Sequence, residues 1–160
     1  MNYKPVVLIY DLNNKLVDEI AGLIGTTGQY TTINTFNETN AMEAIRQYDR
    51  GFGVLTNRLS CILTGWNSHK KRRDQFLFRL RDKERQSPFR RPTPVVVITE
   101  DHMTELKRIA LDPTDGDVSA YLDTEDFSHN LLDLLEKIVF RNQSRELNSV
   151  AFANIQRLRD

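Results

Sequence analysis

Apolar positions along the chain follow two different spacings that alternate from one end to the other. Short runs of β-branched and apolar residues predict strands that are buried on both faces, as in a parallel sheet. Segments with apolar residues three or four apart lie between these runs and predict amphipathic helices. The predicted strands are 5–10, 30–36, 59–64, 95–99 and 118–122, and the predicted helices are 16–24, 41–48, 70–85, 104–111 and 127–138.

Small and polar residues mark the ends of several predicted helices. Gly25 and Gly28 end the first helix, because glycine takes up the backbone conformations that follow a helix C-terminus at little cost. The polar segment 37–40 supplies cap residues for the second helix, and Asp126 is placed to cap the last one. Three prolines, at positions 88, 92 and 94, exclude helix before the fourth strand.

Five repeats of strand followed by helix predict an α/β sandwich, with helices on both faces of a parallel sheet. We expect residues 1–140 to form this domain. Residues 141–160 exceed what it needs, and their apolar positions continue at helical spacing. We favour a connector or stalk that joins an output region or pairs with its own copy, because a polar break precedes it. The alternative is a segment that folds back on the sheet.

Composition excludes several classes of protein. One cysteine among 160 residues excludes a disulfide framework and a multi-cysteine zinc site. Cys61 lies in a predicted buried strand, where cysteine acts as a small apolar residue. His69, His102 and His129 share no metal-ligand spacing, so no metal site is expected. No apolar run approaches the ~20 residues of a membrane helix, and a signal peptide is not evident, which favours the cytoplasm.

The balance of 22 basic and 22 acidic residues hides two charged segments of opposite sign. Residues 69–91 hold ten Lys and Arg against three acids, whereas residues 100–126 hold nine acids against two bases. The basic segment, which includes Lys70, Lys71, Arg72 and Arg73, either contacts an acidic partner or is a solvated helix face. Nucleic-acid binding is disfavoured, because the neutral total lacks the basic excess of that class.

The carboxyl ends of parallel strands are where ligands bind in open α/β sheets. The sequence there reads VLIYDL, LTGWN, VVVITED and AYLDTEDF for the first, third, fourth and fifth strands. In these four segments residues 5–140 resemble the receiver domain of bacterial response regulators. The resemblance implies a flavodoxin-like (CheY-like) fold with a five-stranded sheet in the order 2-1-3-4-5.

The same resemblance implies a degenerate phosphorylation pocket. A working receiver has two acids after strand one, an acceptor aspartate after strand three, a hydroxyl after strand four and a lysine after strand five. Asp11 and Thr99 match two of these roles, but Leu12, Gly65 and Thr124 replace the second acid, the acceptor and the lysine. We therefore expect no phosphoryl transfer, no enzyme activity and no cofactor. The implied function is a pseudo-receiver that acts through protein contacts.

Individual pocket residues also have simpler interpretations. Asp11 can cap the first helix or bond loop amides instead of acting as a base, and Thr99 to Asp101 can cap the fourth helix. Tyr121 stands where receivers often carry a rotameric aromatic residue, and would form an interaction surface together with the basic segment. Otherwise it is a half-buried strand residue.

A second resemblance points to an enzyme. The segment Leu122–Phe127, LDTEDF, is similar to the fifth-strand exit in the receiver-like wing domain of bacterial ornithine/lysine/arginine decarboxylases. That family implies an assembly module of a pyridoxal-phosphate enzyme whose active site lies elsewhere. A small-ligand enzyme that uses Asp11 and Thr99 is a further alternative.

Overall fold

A computed structural model describes residues 4–49, 58–66, 75–87 and 91–158. Their centre is one five-stranded sheet in the order β2-β1-β3-β4-β5, in which every pairing is parallel. The order is the predicted one. The strands are β1 (Val6–Tyr10), β2 (Thr31–Thr35), β3 (Leu59–Thr64), β4 (Val95–Thr99) and β5 (Ala120–Asp123).

Six α-helices flank or follow the strands in the described part of the chain. The segment 127–140 is helical in three different ways: a 3-10 turn (Phe127–His129) precedes α5, and a π-helical turn (Glu136–Phe140) follows it. The helices are α1 (Asn14–Gly25), α2 (Glu38–Asp49), α3 (Phe76–Arg85), α4 (Thr104–Leu111), α5 (Leu131–Leu135) and α6 (Ser144–Arg157).

Both faces of the sheet are covered by apolar layers. On one face Val7 and Ile9 of β1 pack with apolar residues of α1 and α5. On the other face Leu8 of β1 packs with residues of α2, α3 and α4. The three central strands therefore bury successive side chains on opposite faces, which explains their continuous apolar runs.

Some predicted boundaries are shifted, and the hydrogen bonds give the reasons. Helix α2 begins at Glu38, three residues early, because the Asn37 Oδ1 accepts from the Asn40 N–H at 2.8 Å and so caps the helix. Strand β5 begins two residues late, because the Val118 N–H donates to the Ala110 carbonyl at 3.0 Å. Asp126 makes no side-chain cap bond, so the predicted cap there is wrong. Residues 70–74 of the predicted third helix lie outside the described residues.

The tail folds back on the domain. Helix α6 packs against α4 and β5, and its Ile155 is 4% exposed within the core layer of α2, α3 and α4. The Asn148 amide is 1% exposed and donates to the carbonyls of Leu111, at 2.8 Å, and Val118, at 2.6 Å. Folding back on the sheet, the alternative to a free stalk, is therefore the arrangement observed. A connection to an output region stays a prediction.

Helix α3 is not simply a solvated basic face. Arg81 and Glu84 are both buried and form an ion pair at 2.7 Å. The Arg81 guanidinium also donates to the carbonyls of Thr93 and Gly116, both at 2.8 Å. Arg79, by contrast, pairs with Glu38 of α2 on a partly exposed face. Part of the positive charge of the basic segment is therefore neutralised by acids of the same domain.

In the described ranges, no helix is both long enough and apolar enough to cross a membrane.

Candidate functional site

The carboxyl edge of the sheet brings together the four strand ends that the sequence singled out. Tyr10 of β1 lies opposite Thr64 of β3, and the Gly65 N–H donates to the Tyr10 carbonyl at 3.2 Å. Between the neighbouring strands β4 and β5, the Thr124 N–H donates to the Thr99 carbonyl, also at 3.2 Å. Parallel pairing therefore puts Asp11, Gly65, Thr99 and Thr124 along one edge.

Asp11 is the carboxylate at the end of β1. It is 9% exposed, and its Oδ1 accepts from the Asn13 N–H at 2.8 Å. Asn13, in turn, caps α1 by accepting from the Leu16 N–H at 3.2 Å. Asp11 thus bonds a loop amide, and the cap of α1 is its neighbour two residues on.

Burial dominates the titration of Asp11. Desolvation raises the pKa of its carboxyl above the ordinary value, and the negative charge of Glu100 raises it further. The N–H groups of Asn13 and Leu12 act in the opposite direction, because they favour the charged form. No cationic side chain of the described residues contributes to holding this carboxylate ionised.

Thr99 is the last residue of β4, and its buried side chain accepts a hydrogen bond from the loop that follows. Its Oγ1 accepts from the Asp101 N–H at 3.2 Å, and the Asp101 Oδ1 accepts from the Met103 N–H at 3.0 Å. Helix α4 begins after Met103, which makes no side-chain cap bond. Capping of α4 by Thr99–Asp101 is therefore wrong, and these side chains instead fold the loop that precedes α4.

The other three strand-end positions, Leu12, Gly65 and Thr124, carry neither a carboxylate nor an ammonium group. Leu12 points an apolar side chain to solvent, with 57% of its surface exposed. Gly65 has no side chain, and the neighbouring Thr64 hydroxyl donates to the Gly65 carbonyl at 3.2 Å. Thr124 has no ammonium group.

This donor set does not fit the magnesium ion that receivers hold between clustered carboxylates. Mg²⁺ takes oxygen ligands at octahedral positions and is usually held by one or two carboxylates plus phosphate. Asp11 is the sole carboxylate of the three acidic positions that the receiver pattern requires, and one of its oxygens already accepts a backbone bond. Among the described residues, no group of three or more His, Cys, Asp or Glu side chains is arranged to hold a metal.

An aromatic layer that the sequence reasoning missed lies beside the pocket. Tyr121 is half-buried, and its hydroxyl donates to the Asp101 carbonyl at 2.8 Å. The ring centroid lies 6.4 Å from that of Trp66, which meets Phe78 edge to face at 5.8 Å. The Lys107 ammonium lies 5.8 Å from the Tyr121 centroid. Trp66 in the LTGWN segment was a usable signal, since it directly follows a buried strand.

Other candidates lie apart from one another or outside the described residues. His102 pairs with Asp123 at 2.9 Å at the end of β5, whereas His129 lies in the 3-10 turn before α5. His69 and the basic residues Lys70, Lys71, Arg72 and Arg73 lie outside the described residues. Cys61 is fully buried, and burial raises the pKa of its thiol to about 12, which disfavours a reactive thiolate.

Comparison with known proteins supports the fold through structure only. No protein-family model matches the sequence, and no curated protein sequence matches it either. The structure is similar to a response regulator receiver domain from Clostridium thermocellum, with a TM-score of 0.63 and 15% identity over 87% of this chain and 97% of that one. It is also similar to the chemotaxis protein CheY4 of Vibrio cholerae, with a TM-score of 0.62 and 16% identity over 85% and 99% of the two chains.

A longer response regulator matches more of the chain. The similarity to RcsB of Salmonella typhimurium, a protein studied for DNA interaction, has a TM-score of 0.66 and 13% identity. It covers 96% of this chain and 68% of that one. These matches establish that the chain has the CheY-like receiver fold.

Proposed function

We propose that this chain is a receiver-like signalling domain of a bacterial regulatory protein that works through protein contacts without being phosphorylated. The observation that carries the proposal is the end of β3, where Gly65 stands at the position of the acceptor aspartate. A glycine has no side-chain oxygen to phosphorylate. The fold supports a signalling module, and the residues at the carboxyl edge of the sheet argue against phosphorylation as the step that activates it.

The hydrogen bonds at the edge support the same proposal. Asp11 and Thr99 direct their oxygens to loop amides of their own chain, so that both act in local structure. The nearby Thr64 hydroxyl is a poor nucleophile unless a base stands beside it, and it already donates to a carbonyl. Activation of this domain must therefore come from a partner that binds one conformation better than another.

The aromatic layer is the best placed route for such a partner to act. Tyr121 links β5 to the loop after β4 through the Asp101 carbonyl, and Trp66 links β3 to the same ring. A partner that contacts Tyr121 or Lys107 would therefore act on the loop after β4 through the hydrogen bond to Asp101. In the proposal Tyr121 is part of the interaction surface, as are the basic residues 70–73 by their charge.

Incubation with acetyl phosphate and magnesium tests the central claim. We expect no phosphorylated species by intact-mass spectrometry, because three of the five polar groups are missing. A matched pair of variants makes a negative result meaningful. The triple variant L12D/G65D/T124K restores the missing groups and is expected to take up phosphate, whereas G65A adds only a methyl group and is not. Stable labelling of the natural chain would overturn the proposal.

A homodimer through α6 is the partner arrangement that the tail offers. Val150 and Leu158 are exposed apolar side chains in and directly after this helix, at 62% and 74%. Light scattering of the natural chain and of V150S/L158S tests it, because both residues can change without removing Ile155 from the core. A monomeric natural chain would exclude self-association at this helix and leave an output domain as the partner.

The cytoplasm is the compartment that the proposal implies, and the free buried thiol of Cys61 accords with a reducing environment. The structures described above as similar are receivers and response regulators, and none of these supports the decarboxylase alternative.

A further inference from the structure

A cavity of about 660 Å³ lies at the opposite edge of the sheet, where strands β3, β4 and β5 begin. We define the arginine cavity by the four arginines in its lining, Arg58, Arg81, Arg91 and Arg145. It is remote from the receiver pocket, because parallel strands separate their amino and carboxyl ends. Its volume lies within the range of about 300–1,000 Å³ that is typical of small-molecule sites.

Two of the four arginines are already neutralised. Arg81 pairs with the buried Glu84 at 2.7 Å. Arg145 holds both carboxylate oxygens of Asp117, at 2.8 and 2.9 Å. Asp117 is itself 9% exposed, so the Arg145 pair is anchored on a buried carboxylate.

Arg58 and Arg91 carry charges that no described group of the domain pairs with. Both are exposed and line the cavity, and neither makes a hydrogen bond or ion pair within the described ranges of the chain. Among the described lining residues Asp117 is the one acid, and Arg145 balances it, so their uncompensated charge is that of two guanidinium groups. Guanidinium groups bind phosphate through paired, charge-assisted hydrogen bonds.

The remaining walls fit the rest of an organic phosphate. Hydroxyl groups line the cavity at Ser60, Ser87 and Ser144, and they can donate to phosphate or sugar oxygens. Apolar surface comes from Pro92, Pro94 and Val139, which line the cavity and are at least partly exposed. A polar end with two free cations and an apolar wall is the combination that small-molecule sites use to orient a ligand.

We propose that the arginine cavity binds a phosphorylated small molecule of nucleotide size, with its phosphate on Arg58 and Arg91. The ligand spans the starts of β3 and β4, because Arg58 directly precedes β3 and Arg91 precedes β4. Such a ligand gives the domain a chemical input at the edge away from the degenerate pocket. The proposal is independent of whether the domain is phosphorylated.

Isothermal titration with AMP, pyrophosphate and adenosine tests the proposal on the full chain. We expect AMP to bind, pyrophosphate to bind more weakly and adenosine not to bind. The variant R58S/R91S should weaken AMP binding by about 10- to 100-fold, from the loss of charge-assisted hydrogen bonds. Its urea unfolding should match that of the natural chain, since both side chains are exposed and unpaired in the described structure.

The matched control is K15S/R157S, which removes the same charge from two exposed positions away from the cavity. It should leave AMP binding within about twofold of the natural chain, since exposed charges beyond a Debye length are largely screened. Failure of both AMP and pyrophosphate to bind would overturn the proposal. Equal weakening of AMP binding by the two double variants would also overturn it, because the interaction would then follow only the net charge.

Discussion

Replacement of Asn148 by alanine should weaken the attachment of the tail helix to the domain. The Asn148 side chain is 1% exposed, and its amide donates to two carbonyls, that of Leu111 at the end of α4 and that of Val118 before β5. The side chain also accepts from the Arg145 guanidinium at 3.4 Å. In N148A both carbonyls lose this partner while α6 still covers them.

The structure sets the size of the effect. A buried carbonyl left without a partner costs about 1–3 kcal/mol, and two of them are affected. Alanine regains roughly 0.5 kcal/mol over asparagine in helix propensity. We therefore expect the free energy of unfolding to fall by about 1.5–5.5 kcal/mol.

Urea denaturation followed by circular dichroism measures this change, and amide hydrogen exchange locates it. We expect amide exchange to speed up in α6 more than in the central strands. Helix α6 packs against α4 and the edge strand β5, so it can detach while the central strands stay paired. The matched control is N154A, the same substitution at an exposed position of the same helix. A loss for N148A within about 0.5 kcal/mol of that for N154A would refute the reasoning.

Three further outcomes follow from buried polar groups. E84A should lower stability by about 3–5 kcal/mol in urea denaturation, because it leaves the Arg81 guanidinium buried without its anion, whereas D82A on the exposed side of α3 should change it by less than ~0.5 kcal/mol. Cys61 should react with a thiol reagent at pH 8 only as fast as the domain unfolds, since burial raises the pKa of its thiol to about 12; rapid labelling of the folded chain would contradict its burial. D11N should stabilise the fold at pH 7 and lose that advantage in acid. The pKa of Asp11 is higher in the folded than in the unfolded state, so protonation favours folding. The natural side chain therefore lowers stability only as the pH rises through its folded pKa. A D11N advantage that persists below the ordinary aspartate pKa, measured by thermal unfolding across pH, would contradict this sign.

The receiver pocket illustrates how far sequence reasoning reaches. Strand ends are predictable because a parallel sheet gathers them at one edge, so Asp11, Gly65 and Thr99 are identified as neighbours from their positions after buried apolar runs. The roles of their side chains are less predictable. Thr99 can cap a helix or fold a loop, depending on which backbone N–H its hydroxyl accepts from. In the structure that group is the Asp101 N–H, which lies in the loop.

The alternation of strands and helices, the two-sided burial of the central strands and the glycine at the end of β3 were determined by the sequence alone. They rest on local period and residue identity, which do not depend on distant contacts. Tertiary structure alone decided that Arg81 and Glu84 turn inward, that Asn148 anchors α6, and that Arg58 and Arg91 meet at one cavity. Arg81 turns inward to reach the carbonyls of Thr93 and Gly116, and the other two arrangements also join segments far apart in the chain. A charged residue looks the same in sequence whether it is solvated or paired in the core.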